Sequence, residues 1–120
     1  MLKPNKLASK NFLSSLDMPT EELMHVLKLA RSFKNKDLNL KSEGKVLGLI
    51  FDKSSTRTRV SFQVAMSRLG GTTIDLNPTT SQIGRGEPIK DTARVLSRYC
   101  DVIAIRTFDH SDLEEYAKWS

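Results

Sequence analysis

Residues 54 to 59 read Ser54-Ser55-Thr56-Arg57-Thr58-Arg59. Hydroxyls and two guanidinium groups fall within six consecutive positions. Hydroxyls donate hydrogen bonds to oxyanions, and an arginine presents a planar fork that matches phosphate or carboxylate. A serine in this segment also suits a helix N-cap. The first turn of a helix leaves backbone N–H groups without intrahelical partners, at the positive end of the helix dipole. The chemistry offered is the binding of a phosphate-sized anion. The bland alternative for Arg57 is a surface ion pair with a nearby acid, Glu87 being one candidate. Arg59 is open between a ligand contact and an anchor to loop carbonyls.

Such a cluster needs elements that aim it. Before it runs Val46-Leu47-Gly48-Leu49-Ile50-Phe51, an apolar stretch of the length and shape of a strand buried on both faces, as in a parallel sheet. After it, Phe62, Ala65, Met66 and Leu69 fall at i, i+3, i+4 and i+7, the stripe of an amphipathic helix. Gly70-Gly71 closes that helix. The anion site would therefore lie at the carboxyl end of a strand, where open α/β sheets hold ligands. The segment is no Walker loop: no glycine lies between Asp52 and Arg59. Gly84-Arg85-Gly86 lacks the third glycine of a dinucleotide fingerprint and does not directly follow a strand.

The remaining chain alternates in the same way. Residues 1–11 are polar and read as a loosely held arm, with Phe12, Leu13 and Leu16 docking behind it. Asp17 to Glu22 suits a helix start, with a capping candidate, a proline and two acids. Leu23, Val26, Leu27 and Ala30 form its apolar face, and Arg31, Lys34 and Lys36 suit its C-terminal end. Thr72 to Leu76 reads as a strand, and Asn77 to Glu87 as a long loop of the kind that carries function. Ile89 to Tyr99 reads as a helix with Ile89, Ala93, Leu96 and Cys100 inward. Val102 to Ile105 is a third strand with Arg106 at its end, and a helix from a Ser111 cap follows. This order implies right-handed crossovers and the α/β class, a parallel sheet flanked by helices.

Ser55-Thr56-Arg57-Thr58-Arg59 behind an apolar strand, followed by Ser61-Phe62, resembles the carbamoyl-phosphate signature of the carbamoyltransferases. Gly70-Gly71, Gly86-Glu87 and Asp91-Thr92-Ala93-Arg94-Val95-Leu96 are similar to that family's later motifs, in the same order. Ser81-Gln82 and Arg106 narrow the resemblance towards its ornithine branch, since aspartate enzymes tend to carry a lysine in that loop. The resemblance runs from about Phe12 to the end and implies an incomplete carbamoyl-phosphate-binding domain over residues 1–120, without the domain for the acceptor. It implies that Ser55, Thr56, Arg57 and Thr58 bind carbamoyl phosphate, that Arg106 contacts its carbonyl oxygen, and that Gln82 reaches a neighbouring subunit's phosphate. Arg57 and Arg106 would be the catalytic residues. The implied reaction carries a carbamoyl group to the δ-amine of L-ornithine, in a homotrimer, with no cofactor. The alternatives are another acceptor such as aspartate, or a phosphate-binding module without catalysis.

The chain has 120 residues, a net charge of +5 and a pI of about 9.5. The basic residues are scattered, without the aromatic interleaving that reads single strands, so nucleic acid is not the expected partner. Nothing in the sequence approaches a transmembrane run, and no secretory or transit segment is evident. The single cysteine, Cys100, suits a reducing compartment and a core position, and the expectation is the cytoplasm. His25 reads as a surface residue and His110 as a turn residue. These two histidines and one cysteine make no zinc pattern, so no metal is expected.

Overall fold

Val46–Phe51 forms strand β1, and everything from Leu47 to Phe51 is buried. A strand this apolar is stable only with a packed layer on each side. Both layers are present. Thr72–Leu76 (β2) and Val102–Arg106 (β3) pair with β1 in parallel, giving a sheet of order β2-β1-β3. Side chains alternate along β1. Leu47, Leu49 and Phe51 form one cluster, with Met66 of helix α2 (Thr56–Arg68) and Ala104 against it. Ile50 belongs to the opposite cluster with Ala93 of α3 (Ile89–Tyr99) and Tyr116 of α4 (His110–Trp119). Leu76, Ile89, Leu96, Ile103, Ile105 and Trp119 pack around that second cluster. The result is the expected parallel α/β arrangement.

The structure, a computed structural model, describes residues 10–36, 40–52, 55–77 and 86–120. Two units divide at residues 40 and 41, and the sheet belongs to the second. In the first, Thr20–Lys34 forms helix α1, with Glu21 and Glu22 in its first turn and Arg31 and Lys34 in its last. Asp17 does not cap it. Its Oδ2 accepts from the N–H groups of Leu13 and Ser14 at 2.7 and 3.0 Å, closing a 3₁₀ turn over Ser15–Asp17. The residue before α1 is Pro19, whose side chain cannot cap. Leu23 and Val26 are half-buried as expected, but Leu27 and Ala30 are exposed, and His25 is half-buried and not on the surface.

Two further expectations need correction. The inward face of α2 is not Phe62, Ala65, Met66 and Leu69. The half-buried positions are Arg59, Gln63, Met66 and Leu69, while Phe62 and Ala65 are exposed. The stripe is turned by about one residue, and Phe62 reaches the core only by an edge-on contact with Phe51, centroids 6.2 Å apart. Helix α4 begins at His110 behind Asp109 and not at a Ser111 cap, so His110 is helical. The end of α2 is as read: Gly70 adopts φ +83°, which a side chain would strain.

The amino ends of β1 and β3 are tied by one carboxylate. Asp101 Oδ2 accepts from the Val46 N–H at 2.9 Å, Oδ1 lies 3.5 Å from Lys45 Nζ, and the Asp101 N–H donates to Val46 O at 2.9 Å. The Val46 N–H, helped by the Lys45 charge, holds the Asp101 carboxyl below its ordinary value. A lowered folded-state pKa gives stability that is present above the unfolded value and lost as pH falls through the folded one. Asp101→Asn should therefore melt lower than the parent at neutral pH, and the gap should close in acid below the ordinary carboxylate range. Thermal melts across that range check this; a gap that stays constant with pH would contradict it.

Candidate anion-binding site

At the carboxyl end of the sheet, β1 stops at Phe51 and β3 at Arg106, which are partners in register. The Asp52 N–H donates to Arg106 O at 2.8 Å, so the two strand ends stay together as the chain leaves the sheet. Helix α2 starts beside them. Its first intrahelical bond is Arg59 N–H to Ser55 O, at 3.0 Å. The N–H groups of Thr56, Arg57 and Thr58 precede that bond and have no partner within the helix. Ser55 is at the N-cap position, yet its side chain makes no capping bond. Its Oγ instead accepts from Arg106 Nη1, at 2.5 Å. The serine thus holds the strand-end arginine at the open end of the helix.

The resulting cavity, about 630 Å³, is lined by Ser55, Thr56, Arg57, Thr58 and Arg106. It contains two guanidinium groups and three hydroxyls, and no carboxylate among the described residues lines it. The other helices show what is unusual here. First turns of α1, α3 and α4 carry Glu21 and Glu22, Asp91, and Asp112, the ordinary complement to a positive dipole end. The first turn of α2 carries no acid. Arginines placed there repel the dipole, and the arrangement gains only when an anion arrives.

Sequence reasoning grouped Ser55, Thr56, Arg57 and Thr58 at one helix start and set Arg106 at the same edge of the sheet, and the fold brings all five around one cavity. Gln82, with Ser81, lies outside the described residues, as does Ser54. Arg57 forms no ion pair among the described residues, and Glu87 has another role: its Oε2 accepts from the Thr92 hydroxyl at 3.0 Å, on α3. Arg59 does not line the cavity. It turns under the helix, Nε 3.0 Å from Asp75 Oδ2 on β2, with its guanidinium 5.5 Å from the centre of the Phe51 ring. Cys100 is half-buried behind the sheet, its Sγ against Gly48, and burial followed by the Asp101 charge pushes its thiol pKa up. No cluster of metal-ligating side chains occurs among the described residues.

One feature escaped the sequence reading altogether. Tyr116 of α4 is buried, and burial, then Asp52, Asp112, Glu87 and Glu115, push its hydroxyl up to about 12. These acids include Asp52, three residues before Ser55, and Glu87. Their influence falls on a neutral phenol of the second cluster, and neither lines the cationic cavity.

Residues 10–120 match the family model described as "Aspartate/ornithine carbamoyltransferase, carbamoyl-P binding domain". The chain belongs to the aspartate/ornithine carbamoyltransferase family. An ornithine carbamoyltransferase of Prochlorococcus marinus is 81% identical over 120 residues, all of this chain and 39% of that protein. Among solved structures, the anabolic ornithine carbamoyltransferase of Campylobacter jejuni superposes with a TM-score of 0.85 at 38% identity, over 93% of this chain and 37% of its own. Aspartate transcarbamoylase of Trypanosoma cruzi, solved in complex with carbamoyl phosphate, gives 0.82 at 30% identity, over 95% and 38%. The chain therefore spans about two fifths of the length of the relatives it matches.

Within this carbamoyl-phosphate-binding domain, Ser55 is read as an arginine holder and not as a helix cap. Ser55→Asp separates the two roles. A carboxylate there would cap α2, pair with Arg106 and complement the dipole, so the melt should rise, by about 0.5–1 kcal/mol in stability. It would also place negative charge where the anion binds, and affinity for inorganic phosphate should fall about tenfold or more. Phosphate binding equal to the parent's would contradict the placement of the site.

Proposed function

We propose that this chain supplies the carbamoyl-phosphate site of an ornithine carbamoyltransferase, transferring a carbamoyl group to the δ-amine of L-ornithine to give L-citrulline and phosphate, as in arginine biosynthesis. The observation that carries the reading is the acid-free, uncapped start of α2 facing Arg106 across Ser55. Supporting the acceptor is the 81% identity to an ornithine carbamoyltransferase, against 30% to an aspartate transcarbamoylase. The domain would be the amino-terminal part of a longer protein whose remaining length holds ornithine.

The phosphate sits on the Thr56, Arg57 and Thr58 N–H groups, the neighbouring hydroxyls and the Arg57 fork. The carbamoyl carbonyl points at Arg106. The neutral δ-amine attacks the carbonyl carbon, and the oxygen takes the negative charge, which Arg106 and the Thr58 hydroxyl stabilise as an oxyanion hole does. The carbonyl re-forms, the bond from the carbonyl carbon to the bridging phosphate oxygen breaks with its electron pair leaving on phosphate, and the amine gives its extra proton to the departing phosphate or to solvent. Holding both ends of carbamoyl phosphate lowers the barrier by positioning. Neither a metal nor an organic cofactor has a step to perform. Gln82 reaches the phosphate of a neighbouring subunit in a homotrimer. No described helix is long and apolar enough to cross a membrane, and the lone cysteine fits a cytoplasmic setting.

In the full-length protein, Arg57→Gly removes a bidentate, charge-assisted donor worth about 1.5–3 kcal/mol or more. Calorimetry should show carbamoyl phosphate binding weakened at least about tenfold. Turnover with ornithine should fall too, since charge grows on the departing phosphate. The fold should survive, because Arg57 is exposed, with the melt lowered only by the small cost of glycine in a helix. Parent-like binding and turnover would refute the role. For the shared site, an Arg57→Ala protein and a Gln82→Ala protein are mixed and their subunits exchanged. Hybrids should regain activity, since some sites draw both intact residues from different chains; no recovery after proven exchange would contradict it.

A further inference from the structure

Arg59 heads the packed stripe of α2, the line Arg59, Gln63, Met66, Leu69. A charge at such a position is costly unless it is paired. Its partner is Asp75, one residue before the end of edge strand β2, with Nε and Oδ2 3.0 Å apart and about a third of each side chain exposed. The contact is an ion pair by distance and not an aligned hydrogen bond. The Arg59 guanidinium also lies over Phe51, the last residue of β1. No residue of α2 is fully buried. Met66 packs its distal half onto the core cluster. The half that carries Thr56, Arg57 and Thr58 is held to the sheet by Arg59 through Asp75 and Phe51, with the Phe62–Phe51 edge contact beside it.

We propose that Asp75 is a positioning residue for the anion site. Acting through Arg59, it fixes the first turn of α2 against the carboxyl ends of β1 and β2. It also takes up the charge of the second arginine, so that Arg57 and Arg106 remain the uncompensated cations facing the ligand. The proposal rests on the phosphate-site reading, and its main readout does not depend on which amine is the acceptor. An anion held by fixed amides and a fixed arginine is sensitive to small displacements of the turn that carries them. An exposed edge-strand aspartate without such a role would alter stability and leave ligand affinity alone.

The test is a double-mutant cycle in the full-length protein with Asp75→Asn, Arg59→Met and the two combined, reading the Kd for inorganic phosphate, the KM for carbamoyl phosphate and for ornithine, and the melt. Asp75→Asn should raise the phosphate Kd and the carbamoyl phosphate KM by about fivefold or more, with the ornithine KM within about twofold of the parent. The double variant should bind phosphate no more weakly than Arg59→Met alone, because Asp75 acts through that arginine. Should Asp75→Asn not accumulate as folded protein, Arg59→Met, which removes the same ion pair, takes its place and should shift the same constants in the same direction. A parent that binds phosphate through Arg57 yet does not carbamoylate ornithine would remove the acceptor assignment, and the phosphate Kd alone would then judge Asp75. A lowered melt with phosphate Kd unchanged or tightened, or losses that simply add in the double variant, would overturn the proposal.

Discussion

The structure depends on a concentration of positive charge that the chain itself leaves unanswered. A helix start is already electropositive, and α2 adds Arg57 to it while Arg106 is brought in from β3. Two ordinary remedies are missing here. The first turn holds no acid, and the serine at the cap position gives its oxygen to Arg106 in place of the helix. The first of these sets α2 apart, since α1, α3 and α4 lack a side-chain cap as well. Such repulsion lowers stability slightly in the free protein and is relieved by a bound anion, the sense in which binding sites store strain. Asp75 pairs with Arg59, which does not line the cavity, while Arg57 and Arg106 do.

That arrangement requires a rigid base, which β1 provides. Its side chains serve both layers, with Phe51 touching Phe62 and underlying Arg59, and Ile50 locked among α3 and α4. Asp101 ties β1 to β3 at one end of the sheet, and Asp52 N–H to Arg106 O ties them at the other. The backbone of Arg106 is thereby fixed against the end of β1, and its side chain is bonded to Ser55 at the start of α2.

Much of this was legible in the sequence because the signals were local. An unbroken apolar run can only be a central strand, and the alternation of strands and amphipathic helices allowed only a parallel sheet; the bounds of β1, β2 and α3 follow directly. Ser55 to Thr58 were legible because the cluster stands between a buried strand and an amphipathic helix with the later family motifs in order, and Arg106 because the family resemblance picked out an arginine at the end of a strand of the same sheet. What was not legible depends on contacts distant in sequence. The face of α2 was misread because Phe62 and Ala65 outrank Arg59 on hydrophobicity, and only Asp75 across the sheet makes Arg59 acceptable underneath. Likewise Asp17 looked like a helix cap until its carboxylate was seen to close the preceding turn. Family resemblance supplied what chemistry alone left open, the proposal that the anion is carbamoyl phosphate.

The central claim is that one anion is held by the amide start of α2, Arg57 and Arg106 together. Diffraction from crystals of the full-length protein grown with carbamoyl phosphate tests it most directly. The account predicts phosphate oxygens within hydrogen-bonding distance, about 2.7–3.2 Å, of the Thr56, Arg57 and Thr58 N–H groups and the Arg57 guanidinium, with the carbonyl oxygen against Arg106. A ligand bound elsewhere, or one that leaves these amides and Arg57 untouched, would contradict it.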